Sequence, residues 1–183
     1  MEDKKINKKV LGIFLGFLVV FFGFLILSNE HTFFFGEEVF LETYPVDPRD
    51  LLRGDYVVLS YRIENEEKIQ NFINENRLVS GDVFYLVLDK DQENIARLDR
   101  VSLDNPKDHL ALRATIGRSF SWSDSYSVEL GIGKYFVPEG RGREVEEMTR
   151  GLHVLVVIDK NGVAKIKNLY YEGEKVDLRP IRR

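Results

Sequence analysis

Two hydrophobic patterns divide the chain. Residues 10–27 read VLGIFLGFLVVFFGFLIL, without a charged or strongly polar position. As a helix this run rises roughly 27 Å, close to the ~30 Å hydrocarbon layer of a bilayer. It has no polar face, unlike the core helix of a small domain. Lys4, Lys5, Lys8 and Lys9 precede it, and Asn29, Glu30 and His31 follow it. The excess of positive charge on one side predicts a cytoplasmic N-terminus with everything after Ser28 across the membrane. A cleaved secretory signal is the competing reading. The basic start suits it, but the apolar run exceeds the usual ~15 residues and the exit SNEHTFFF lacks a small-x-small site, so an uncleaved anchor is preferred. Gly12 and Gly16 match the small-xxx-small spacing of associating membrane helices, although glycine is common in such helices anyway. Phe33, Phe34 and Phe35 are expected either at the outer interface or at the start of a core.

Beyond the anchor, alternation with period two replaces the apolar run. Strands are predicted over 38–44, 56–63, 82–89, 95–103, 110–117 and 126–136. Within 56–63, Val57, Leu59, Tyr61 and Ile63 share one face, and Tyr56 and Tyr61 fall on opposite faces. Ile69, Phe72 and Ile73 recur at helical spacing and predict a short amphipathic helix over 66–74. Residues 140–150 suit a helical turn. The clearest signal is a hairpin, 152–158 and 163–171 about Asp159-Lys160-Asn161-Gly162, with Asn-Gly supplying positive-φ positions. Glu172-Gly173 then turns the chain toward a last short strand at 176–178. The expected fold is thus a mainly β, β-dominated α+β domain of about eight strands with one or two short helices, preceded by one transmembrane helix. The expected organisation is a basic cytoplasmic segment (1–9), an anchor (10–28) and a single extracytoplasmic domain (29–183).

Composition narrows the function classes. With 44% hydrophobic and 31% charged residues the chain folds rather than remaining disordered. A net charge of -4 argues against nucleic-acid binding. The absence of cysteine rules out disulfides, thiolate metal sites and a thiol nucleophile. His31, His109 and His153 are scattered without metal-ligand spacing, so no metal and no cofactor are expected.

The most distinctive stretch is PVDPRDLLRGDYVVLSY, residues 45–61. Its Gly54-Asp55-Tyr56, Leu59 and Tyr61 resemble the motif that names the GDYXXLXY family of bacterial membrane-anchored proteins. The later run KYFVPEGRG (134–142), with Tyr135, Pro138, Glu139, Gly140, Arg141 and Gly142, is similar to a second block of that family. The resemblance spans nearly the whole chain. It implies little chemistry, because the family's function is unknown. Its members tend to be encoded beside polytopic membrane proteins, which implies such a partner.

Physically, Pro45 and Pro48 stiffen the approach to the motif strand. Arg49, Asp50, Arg53 and Asp55 place two charges of each sign within seven positions. An internal Arg–Asp staple is the preferred reading, and an anion-binding or docking surface at Arg49 and Arg53 the alternative. Gly140-Arg141-Gly142 reads as a turn, with an anion-binding nest as its alternative. Were the two blocks to meet, Arg49, Arg53, Arg141 and Arg143 would be able to line one face. Glu139, Glu144, Glu146 and Glu147 read as a solvated face rather than an acid–base pair. Signal-peptidase-like serine enzymes also open strands with Gly-Asp, but they need a Ser-Met-x-Pro context just past the anchor, where this chain has Ser28-Asn29-Glu30.

The expectation is therefore a non-enzymatic accessory or interaction domain at the cell membrane. It would be held in the bilayer by residues 10–28 and act with a polytopic membrane protein. A peptidase-like hydrolase and a ligand- or lipid-binding β-barrel are the alternatives. The oligomeric state is not legible.

Overall fold

The computed structural model describes residues 8–44, 56–117, 126–138, 145, 148 and 151–178. Helix α1 (Lys8–Phe35) runs on through the three phenylalanines and passes, with only Gly36 between, into β1 (Glu37–Tyr44). The helix therefore extends well beyond position 28. Phe34 and Phe35 stay exposed, at 74% and 69%, so they do not start the core; Thr32 is the buried residue of this last turn. Large apolar side chains along α1, from Leu11 to Leu27, face outward. Counted over the described residues, no helix is long and apolar enough to cross a membrane.

The domain is β-dominated, with antiparallel sheets built from short strands. After β1 come β2 (Tyr56–Val58) and β3 (Ser60–Tyr61), a 3-10 turn (Arg62–Asn65) and α2 (Glu67–Asn76). Then follow β4 (Val83–Lys90), β5 (Ala96–Ser102), β6 (Ala111–Ile116), β7 (Val128–Glu129) and β8 (Lys134–Phe136). The chain closes with β9 (Leu152–Ile158), β10 (Ala164–Tyr171) and β11 (Glu174–Lys175). One sheet runs β11-β10-β9-β1-β3, a second β5-β4-β6-β7, and β2 and β8 form a two-stranded ribbon. The last strand falls at Glu174–Lys175 rather than at 176–178, because Glu172 (φ 50°) and Gly173 (φ 84°) turn the chain at once. Of the helical turn expected at 140–150, Val145 and Met148 are described; Val145 is fully buried and its carbonyl accepts the Met148 N–H at 3.2 Å.

Two hairpin turns sew the larger sheets together. The β4–β5 turn docks on the edge of β1: Phe40 N donates to Asn94 O at 2.9 Å, and Asn94 Nδ2 donates to Glu38 O at 3.0 Å. Asp91 shapes this turn by accepting the N–H groups of Glu93 and Ile95, bonds that hold its carboxyl below the usual carboxylate range. The β9–β10 turn docks on β6, where Arg113 N donates to Gly162 O at 2.8 Å. Only Gly162 in that turn has positive φ (80°), so Asn161 does not take the left-handed position expected of it. Instead Asp159 Oδ1 accepts from Asn161 N (2.8 Å) and Val163 N (3.0 Å), closing the loop from within. A side chain at Gly162 would also press on the Arg113 nitrogen 3.0 Å away.

Between the sheets lies the core of Val39, Leu41, Tyr61, Ile69, Ile73, Phe84, Leu86, Leu112, Val154 and Val156, each at most 1% exposed. β9 is buried on both faces. Its outer face is roofed by the edge-to-face pair Phe40–Tyr170, 5.2 Å between centroids, and by the end of α1.

The α1–β1 junction is tight. Thr32 Oγ1 donates to Asp159 Oδ2 at 3.2 Å, and Lys165 Nζ lies 5.3 Å over the Phe33 ring. A Cβ at Gly36 would come within 2.5 Å of Thr32 O and of Val157 Cγ1, and 2.9 Å of Ile158 O. Gly36→Ala is accordingly expected to cost about 1–3 kcal/mol through overpacking. Thermal melts of the wild type and variant in the same detergent provide the check, and superimposable curves would mean that the junction is looser than these contacts imply.

Candidate functional site

The motif strand earns its shape from its alternation. Val57, Leu59, Tyr61 and Ile63 point inward and are at most 6% exposed, while Tyr56 and Val58 face out. It is not one strand over 56–63 as the pattern predicts, because it changes partner midway. Tyr56, Val57 and Val58 pair with Phe136, Tyr135 and Lys134, and Leu59 N donates to Gly133 O at 2.9 Å. Ser60 and Tyr61 then pair with Tyr44 and Thr43 of β1. The expected strand over 126–136 is likewise split into β7 and β8, since Gly131 (φ 74°) turns the chain between them.

The two distinctive blocks of the sequence thus meet as neighbouring antiparallel strands. On the outer face of the ribbon Tyr56 packs edge-on against Phe136 (6.2 Å), and Lys134 Nζ stands 5.4 Å from the Tyr56 ring. Phe136 is 76% exposed and Val58 42%, so this face offers apolar and aromatic surface to solvent. On the inner face burial pushes the Tyr135 phenol up, and Val137, just before Pro138, joins the core. Among the described residues this face presents aromatic, apolar and cationic groups, a surface suited to binding.

Tyr61 anchors the ribbon from below. Its hydroxyl donates to Ile132 O at 2.8 Å, tying the motif strand to the segment that leads into β8. Burial, and to a lesser extent the nearby Glu64, hold the phenol far above its ordinary range. Glu64 Oε2 accepts the Tyr61 N–H at 2.9 Å, half of a capping box that starts the 3-10 turn. Burial pushes the Glu64 carboxyl up to about 7, against the opposing pull of that hydrogen bond. Sequence reasoning passed over Glu64, although a glutamate three residues after a strand end is the spacing of a capping partner.

Of the residues singled out by sequence, Tyr56, Leu59, Tyr61, Tyr135 and Pro138 are placed on or beside this ribbon. Arg49, Asp50, Arg53, Gly54 and Asp55, and Glu139, Gly140, Arg141, Gly142 and Arg143, lie outside the described residues, as does the Arg–Asp staple. So do Glu144, Glu146 and Glu147.

A separate charged cluster sits on β1. Glu42 takes Arg97 in a two-pronged contact (2.9 and 3.2 Å), with Arg62 Nε at 3.9 Å and His153 Nε2 at 4.0 Å. The ring's other nitrogen, His153 Nδ1, faces Gly151 O at 3.2 Å, so this histidine is satisfied at the sheet surface. These pairs are solvent-exposed and contribute at most about 1 kcal/mol each. Among the described residues no group of three or more potential ligands is placed to hold a metal ion.

No characterised protein and no solved structure matches the chain. A family model does, over residues 18–169, from the middle of α1 through both motif blocks to β10. The chain belongs to the GDYXXLXY protein family.

Proposed function

We propose that this chain is a membrane-anchored, extracytoplasmic accessory or interaction domain that works with a polytopic membrane protein. The observation that carries the reading is the outer face of the β2–β8 ribbon, where the two motif blocks meet and present Val58 and Phe136 to solvent. Exposed aromatic surface of this kind is characteristic of protein-binding patches. In support of the anchor, residues 10–27 form an uncharged apolar run long enough for the hydrocarbon layer, with lysines on one side only. The apolar side chains described along α1 face outward, as lipid contact requires. The ribbon lies at the Tyr44 end of β1, the end away from α1, about 27 Å along the strand from the helix junction. A protein counterpart suits its exposed aromatic and apolar surface.

In-cell cross-linking and capture of the full-length protein test this, beside a Phe136→Glu variant and an Arg49→Ala/Arg53→Ala variant. The expected result is a polytopic membrane protein captured by the wild type and lost from the still-folded Phe136→Glu variant. Equal capture by all three would remove the ribbon from the interaction, and capture of no membrane protein would sink the proposal.

A further inference from the structure

We propose that the end of the domain carrying the β9–β10 turn is docked in the phosphate-bearing headgroup layer of the bilayer, so that anchor and domain form one rigid unit of fixed height. The inference rests on the reading of α1 as the membrane span. Three observations carry it.

First, the height is set. Thr32 lies five residues beyond Leu27, the end of the apolar run, and so about 7.5 Å above the hydrocarbon edge. The headgroup layer is roughly 5–7.5 Å thick on each side, so Thr32 stands at its outer rim. Asp159 in the β9–β10 turn bonds the Thr32 side chain, which brings the turn down alongside the helix to that level. Second, the height cannot easily change, because Gly36 packs against Val157 and Ile158 and leaves no flexible linker between α1 and β1.

Third, the residues at this end suit an interface. Leu103 (48%) and Val163 (38%) expose apolar surface, and Lys107 and Lys160 are exposed cations in the same loop and turn. The loop holding Leu103 and Lys107 is joined to the turn through Asn105 Nδ2, which donates to Lys160 O at 2.9 Å. Acidic groups are present too. Asp159 is consumed by bonds within the turn and to Thr32, while Asp104 and Asp108 are exposed. The cations at this rim therefore reach individual lipid phosphates rather than project a long-range field, and the apolar tips supply the wedge between headgroups.

The chain has no cysteine, so single-cysteine labelling is clean. Full-length Leu103→Cys, Val163→Cys and Val58→Cys variants, each carrying a fluorophore, would be reconstituted into phosphatidylcholine–phosphatidylglycerol vesicles containing headgroup-quencher lipid. Lys160→Cys replaces either rim variant should one fail to fold. Labels at 103 and 163 are expected to be quenched severalfold more than the label at 58, which sits at the far end of β1. Equal, weak quenching at all three positions overturns the docking while leaving the span intact, provided that the chain resists alkaline carbonate extraction. Extraction by carbonate would overturn the span itself and the docking with it.

Discussion

Tyr61→Ala is expected to destabilise the domain by about 3–5 kcal/mol, the cost of removing a fully buried aromatic side chain. The ring has no exposed surface and sits between the motif strand, β1 and the segment entering β8. Its loss opens a cavity and leaves the Ile132 carbonyl without its donor. Against a typical stability of about 5–15 kcal/mol, that loss is large enough to leave the fold marginal. Tyr61→Phe separates the two contributions. It keeps the packing and removes only the hydrogen bond, so a cost of about 1–3 kcal/mol is expected from the orphaned carbonyl. Denaturant unfolding of the wild type and both variants gives the comparison. An alanine variant within about 1 kcal/mol of the wild type would contradict the full burial of the ring. A phenylalanine variant as damaged as the alanine one would instead make the hydroxyl, not the ring, the member that holds the two motif blocks together.

The final tyrosine of the motif is thus a structural element, and its role explains part of what alternation did and did not reveal. Long strands that stay within one sheet were legible in their limits. β4, β6 and the β9–β10 hairpin fall within a residue of their expected bounds, whether they alternate or, like β9, are apolar on both faces. The sequence YVVLSYRI alternates just as well, and its inward face was read correctly at Val57, Leu59, Tyr61 and Ile63. Hydrophobic period cannot show a change of partner, however. Val58 pairs with β8 and Ser60 with β1, while Glu64 draws the Tyr61 N–H into a 3-10 turn, so one expected strand becomes two strands and a turn. The meeting of the two motif blocks was equally invisible, since antiparallel pairing between Tyr56 and Phe136 joins residues eighty positions apart. The reach of α1 beyond the apolar run was hidden for a related reason. The apolar run ends at Leu27, but the polar residues after it continue the helix to Phe35, its last turn held by Thr32 and Gly36 against β9.

Glu64 provides the other large effect, and it depends on pH. Its carboxyl titrates at about 7 in the folded chain against an ordinary value of 4.5, so the folded state binds this proton more tightly than the unfolded state. Below pH 4.5 the group is protonated in both states and does not discriminate between them. As pH rises from 4.5 toward 7 the unfolded chain releases the proton first, and the contribution of Glu64 to stability falls by up to about 3 kcal/mol. Above the folded value the loss is complete and no longer changes. Glu64→Gln keeps an oxygen to accept the Tyr61 N–H and removes the charge, so it is expected to gain on the wild type across this window and to hold its advantage at higher pH. The difference between the two proteins is the quantity to follow. Other carboxylates pull the opposite way, as Asp91 does with its lowered value, and cancel in the comparison. Melting temperatures of both proteins in one detergent from pH 4 to 8 decide it. A difference that widens with pH locates a half-buried, protonatable carboxyl beneath the motif strand, whereas a constant difference would mean that water reaches Glu64 freely and that it serves only as the cap of the turn.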